Sequence, residues 1–170
     1  MSTADRTGRA FVFGDNIDTD VLAPGHLMKL SPQDLASHCL EAIDPTFASL
    51  VQKGDFVVGG QNFGLGSSRE QAAVSLKLLG VGAVIAPSFA RIFYRNALNL
   101  GLPALFCDDF AAISAGDHLR VDPVAGEIVN ITTNTTLSCR PIPAHLMEMV
   151  HAGGLMAALE SQKIDARIDQ

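Results

Sequence analysis

Residues 55–80 read DFVVGGQNFGLGSSREQAAVSLKLLG, and their pattern decides how the chain is built. Asp55–Gly60 is a short apolar run closed by glycines, as expected of a strand buried on both faces. The segment GQNFGLG, residues 60–66, interrupts it. From Ser68 the spacing turns helical: Ala72, Leu76 and Leu79 share one face and Gly80 is the stop, which predicts a helix over Ser68–Leu79. Ser67-x-x-Glu70 has the spacing of a capping box, in which each side chain satisfies an orphan N–H at the helix start. A strand that enters a helix through a short glycine-containing loop is the unit of a parallel α/β sheet.

The alternation continues on both sides. Val81–Ala86 reads as a strand, Ser88–Leu100 as a helix stopped by Gly101, Leu102–Cys107 as a strand and Asp109–Ala115 as a short helix. Upstream, residues 1–9 are expected to be mobile, and Ala10–Phe13 is a strand leading into GDNIDTDVLAPG. Ser31-Pro32 then offers a cap and a first-turn proline for a helix over Gln33–Ile43, which Asp44-Pro45 ends. Downstream the character changes. His118–Val121, Glu127–Ile131 and Thr135–Arg140 read as short antiparallel strands, and Pro143–Glu160 as helix interrupted at Gly153-Gly154. The expectation is one compact α/β domain over residues 1–170, with a mostly parallel sheet flanked by helices and a C-terminal antiparallel section.

Composition removes several classes of function. The 170 residues are 48% apolar and 18% charged, enough to bury a core without staples. A net charge of −6 with no run of Lys or Arg speaks against nucleic acid. No apolar stretch approaches a membrane span, and the polar start MSTADRTGRA has no signal core, so a cytoplasmic protein is expected. Cys39, Cys107 and Cys139 form no C-x-x-C pair and the five histidines are scattered. No metal site is therefore expected within the chain.

Two loops remain for chemistry. In an open parallel sheet, ligands bind at the carboxyl ends of strands, where loops enter helices. In the loop before Ser67, Gly64 and Gly66 let backbone N–H groups approach a ligand, and Ser67, Ser68 and Arg69 would converge on a carboxylate or phosphate. The phosphate-loop and dinucleotide glycine patterns are absent. On pattern alone a generic anion site and a plain capped helix stand side by side. The second loop carries Asp15, Asp18 and Asp20. It lacks the glycine and distant Glu of an EF-hand, which leaves Asx turns as the default reading.

Taken together, DNIDTDVLAPG, GGQNFGLGSSREQA and GAVIAPSFARIFYRNALNLGLP resemble, in that order, the small-subunit family of 3-isopropylmalate dehydratase, the swivel domain of the aconitase superfamily. The resemblance implies a hydro-lyase that isomerises 2-hydroxy acids by removing and re-adding water. It implies Ser67 as the base, Ser68 and Arg69 as carboxylate binders, and Asp20 as partner of a histidine across a subunit interface. It also implies a 4Fe–4S cluster, which would sit on a large subunit, with none bound by this chain. The segment His26-Leu27-Met28-Lys29 would set specificity. Leu27 and Met28 suit an isopropyl group, whereas Lys29 would favour a second carboxylate, as in homoaconitase; a methylmalate or dimethylmalate dehydratase stays open beside these. From a different class, a non-catalytic carboxylate-binding module remains. A helix N-terminus contributes only about 0.3–2 kcal/mol to an anion, so a serine base needs further donors and a water-excluding cover.

Overall fold

A computed structural model describes residues 5–168. Seven strands form one sheet in the order β4-β3-β2-β1-β5-β6-β7, comprising β1 (Arg6–Val12), β2 (Phe56–Val58), β3 (Ala83–Ala86), β4 (Ala104–Phe106), β5 (His118–Asp122), β6 (Glu127–Asn130) and β7 (Thr135–Ser138). The pairings β1·β2, β2·β3 and β3·β4 are parallel. Those of β1·β5, β5·β6 and β6·β7 are antiparallel. The antiparallel section thus continues the same sheet through β1.

β1 is longer than the sequence pattern indicates. Residues 6–9, expected to be mobile, pair with β5 in the register Arg6↔Val121 to Arg9↔His118. Their side chains carry no apolar alternation, so only the partner strand reveals them.

The helices are α1 (Thr19–Leu22), α2 (Pro32–Ala36), α3 (Phe47–Leu50), α4 (Gln71–Leu78), α5 (Arg91–Asn99), α6 (Ala144–His151) and α7 (Leu155–Ile168). Strand residues alternate between two cores. Val57, Val84 and Ala104 face one, filled by Phe47, Phe63, Leu76 and Phe93. Phe56, Val58 and Ile85 face the other, closed by Leu119, Ile128, Ile142 and Met147. Burial on both faces explains the unbroken apolar runs of β2 and β3.

Several elements are shorter than expected, each for a tertiary reason. Ser31 caps α2 as predicted, its hydroxyl accepting the Asp34 N–H at 3.2 Å. The helix stops at Ala36 instead of Ile43. Leu40 turns left-handed at φ 61° and its N–H donates to the Val21 carbonyl, drawing Cys39 and Leu40 into the core. Asp109–Ala115 keeps only a 3-10 turn at Phe110–Ala112. Gly153 and Gly154 separate α6 from α7 as expected, and α7 runs on to Ile168.

Candidate functional site

The loops after β1, β2 and β3 are laced together at the carboxyl ends of these neighbouring strands. Between the first two, the Asn16 N–H donates to the Gln61 carbonyl, the Gly64 N–H to Ile17 and the Thr19 N–H to Leu65, at 2.7–2.9 Å. The Asp15 carboxylate accepts the Gln61 N–H at 2.7 Å. Between the second and third, the Phe63 N–H donates to the Ser88 carbonyl and the Ala90 N–H to Phe63. The Ser88 hydroxyl accepts the Asn62 N–H and donates to the Gln61 side chain, both at 2.8 Å. This tie holds Ser88–Ala90 out of the helix, so α5 starts at Arg91.

Ser67 is not a helix cap. α4 begins at Gln71, its N-cap is Glu70, and no side chain caps it. The predicted Ser67–Glu70 box fails because another loop holds Ser67. Its N–H donates to Thr19 Oγ1 at 3.1 Å, and its hydroxyl lies 3.2 Å from the same oxygen. Thr19 Oγ1 already accepts from the Ser67 amide, which leaves its own hydrogen free to point at Ser67 Oγ. Thr19 is only 3% exposed. Ser67 and Ser68 are exposed.

Glycine is required on the approach. Gly64 has φ 83° and a Cβ there would overlap the Phe93 ring. Gly66 has φ 112° and a Cβ would lie 3.0 Å from Thr19 Oγ1. Side chains at these positions would separate Ser67 from Thr19 or force the loop off α5.

Arg69 turns back toward the acidic loop. Its Nη1 donates to the Ala23 carbonyl at 2.8 Å and to Asp20 Oδ1 at 3.3 Å. The guanidinium side is 22% exposed and the Asp20 carboxylate 71%. Asp20 Oδ1 also accepts the Gly25 N–H at 2.8 Å. That amide, then Arg69, hold the Asp20 carboxyl below its ordinary value of 3.8. Asp18 does what Asx chemistry suggests, capping α1 through the Val21 N–H at 2.9 Å. Leu27 and Met28 are half-buried against the first core, so only part of each faces outward, while His26 and Lys29 are exposed.

Ser67 and Ser68 are thus exposed next to Arg69, which reaches the exposed Asp20, while Gly64 is buried against Phe93. Thr19 is the residue the sequence reading missed. Its only signal was a hydroxyl between two aspartates, in a loop where every other polar side chain had a local role available.

The cysteines offer no ligand set. Cys39, Cys107 and Cys139 are all buried free thiols. Burial raises each of them, Cys139 to about 12, so they are neutral. Among the described residues no group of three or more His, Cys, Asp or Glu side chains is placed to hold a metal ion, and no helix is long and apolar enough to cross a membrane.

Known proteins carry the same architecture. Residues 35–108 match the Aconitase C-terminal domain family. The 3-isopropylmalate dehydratase small subunit of Moorella thermoacetica is 52% identical over 151 residues, covering 88% of this chain and 91% of that protein. The isopropylmalate/citramalate isomerase small subunit of Methanocaldococcus jannaschii is 44% identical over 162 residues, covering 94% and 96%. A crystal structure of 3-isopropylmalate dehydratase from the same archaeon superposes with a TM-score of 0.91 at 42% identity, covering 98% of this chain and 99% of that one. Sequence and fold agree over nearly the whole length, and the chain belongs to the family of 3-isopropylmalate dehydratase small subunits.

Proposed function

We infer that this chain is the small subunit of a hydro-lyase that interconverts 2-isopropylmalate and 3-isopropylmalate, working in the cytoplasm with a large subunit in leucine biosynthesis. The observation that carries the reading is Ser67, fixed at amide and hydroxyl by the buried Thr19 and beside Arg69, yet open to solvent. A serine in this position is half of a site.

Ser67 Oγ, deprotonated, takes the proton from the carbon beside a substrate carboxylate. The Thr19 hydroxyl donates to that oxygen and makes the alkoxide less costly. With α4 starting four residues later, the helix dipole adds little here, since it falls off within a turn. Preorganised donors are the stronger device, each removal costing about 10²–10³ in rate when water is excluded. Arg69 and the Ser68 hydroxyl bind a carboxylate. Asp20 holds Arg69 in this chain and, with its exposed second oxygen, is free to meet a basic group of the large subunit. The 4Fe–4S cluster fits no residues described here and would belong to the large subunit, where it supplies the Lewis acid for the leaving hydroxyl. The large subunit would also cover Ser67, which excludes water from the base.

Leu27 and Met28 offer partial apolar surface to an isopropyl group. An apolar surface discriminates by only about 1–3 kcal/mol per methylene, and methyl is two carbons smaller than isopropyl, so a methyl analogue should turn over more slowly than isopropylmalate. The name of the archaeal relative, with citramalate beside isopropylmalate, supports that second substrate class.

The test is hydration of isopropylmaleate, methylmaleate and cis-homoaconitate by this chain reconstituted anaerobically with its large subunit, against each subunit alone. Turnover of the first two in the mixture alone is expected. Preference for cis-homoaconitate would mean Lys29 sets the pocket, and no turnover in any mixture would leave a carboxylate-binding module.

A further inference from the structure

The opposite pole of the parallel sheet carries a second feature, which does not depend on the reading of Ser67. β1 starts at Arg6, β2 is preceded by Lys53-Gly54 and β3 by Gly80–Gly82, so these residues meet at the amino ends of the strands. Together with the end of α4 they surround an open pocket of about 380 Å³. Arg6, Lys53 and Lys77 line it, and no carboxylate does.

Three cations gathered in a chain of net charge −6 need an explanation. Among the described residues none of them has a carboxylate within ion-pair distance. The adjacent acid, Asp55, is turned away, accepting the Arg9 and Gln52 amides at 2.9 and 2.8 Å and pairing with the Arg9 guanidinium at 3.3 Å. Arg6 Nε is buried and no protein acceptor takes its hydrogen. Lys77 Nζ has one backbone partner, the Gly101 carbonyl at 3.1 Å. Burial and the neighbouring Arg6 both lower the Lys77 ammonium, so Arg6 and Lys77 repel each other. An unpaired buried donor and uncompensated like charges are both costly unless a ligand offsets them.

We propose that this pocket, formed by Arg6, Lys53 and Lys77 over the glycine backbone at 54, 80 and 82, is a binding site for a small oxyanion of charge −2 or more. Its size is that of a small-metabolite site. The C-terminus of α4 also points here with about half a negative charge, which three full positive charges outweigh. Gly80 and Gly82 allow the strand ends to pack closely, since a Cβ there would lie 2.9 Å from the Lys53 Cα and 2.8 Å from the Gly54 carbonyl oxygen, which sets Lys53 against the end of α4 that carries Lys77. A phosphate monoester and a dicarboxylate share this chemistry.

The test uses the full chain, ¹⁵N-labelled and titrated with inorganic phosphate, with succinate and with chloride at matched ionic strength. Saturable shifts of the Gly54 and Gly82 amides are expected from a dianion and not from chloride. Lys53→Gln, at an exposed side chain, should weaken the affinity about tenfold, as losing one charge-assisted contact does, and Arg6→Gln should do the same or more. Tighter phosphate assigns the site to phosphate esters, tighter succinate to di-acids. The proposal is overturned if chloride shifts these amides equally, if both variants keep wild-type affinity, or if only Gly64 and Gly66 respond, which would place the anion at the Ser67 face.

Discussion

Replacing Thr19 by Val removes one oxygen and keeps the branched shape. In the structure that oxygen has two partners, the Ser67 amide at 3.1 Å and the Ser67 hydroxyl at 3.2 Å. The amide loses its acceptor, which costs about 1–3 kcal/mol when fully buried. Ser67 is exposed, so water replaces much of it and about 1 kcal/mol is expected. In a chain of this length that lowers the melting temperature by about 2–4 °C. The catalytic effect should be larger, because a donor to a developing alkoxide in a covered site contributes about 10²–10³ in rate. The assay is hydration of isopropylmaleate by the reconstituted two-subunit enzyme, with kcat and KM measured separately. We expect kcat to fall by about 10²–10³ with KM little changed, and Thr19→Ser to restore most of it. A Thr19→Val enzyme within about twofold of wild type in kcat would show that Thr19 donates nothing to the reacting oxygen. It would leave Thr19 as a loop fastener only.

Other perturbations test neighbouring parts. Gly64→Ala places a Cβ into the Phe93 ring at a left-handed backbone position, so a loss of more than about 1–2 kcal/mol in urea unfolding is expected, together with activity. Because the folded carboxyl of Asp20 titrates below its unfolded value, its contribution is complete above the unfolded value and is lost as pH falls through the folded one. The Gly25 amide shift should therefore stay constant down to about pH 4, move only below it, and lose that step in Asp20→Asn. Cys39→Ser buries a hydroxyl where a neutral thiol sat, at a cost of about 1–3 kcal/mol, while the iron content of the assembled enzyme should not change. A loss of iron in that variant would put a cluster ligand in this chain.

The strand–loop–helix units were legible because period and punctuation agree: the apolar runs of β2 and β3, the stop at Gly80 and the cap at Ser31 all answer to local chemistry. What escaped was decided between segments. Arg6–Arg9 form a strand because β5 lies beside them, and their own side chains alternate nothing apolar. Ser67 and Glu70 spell a capping box, yet the Thr19 oxygen competes for the same amide from 48 residues away. Ser88 has the local signals of a helix start, yet its hydroxyl is held by the Asn62 amide and the Gln61 side chain. At Ser67 and Ser88 a residue with a good local use has a better non-local one. These three departures lie at strand β1 and at the lacing of the loops, and the last two border the candidate site.

If Ser67 is the base of a site shared with a large subunit, the chemistry depends on its hydroxyl. That dependence is tested most directly by Ser67→Ala in the reconstituted enzyme, measuring kcat alongside the Kd of a bound substrate. A kcat lower by about 10²–10⁴ is expected, the range of a lost general base, with Kd within about threefold and the fold intact. Turnover retained in the Ser67→Ala enzyme would contradict that role.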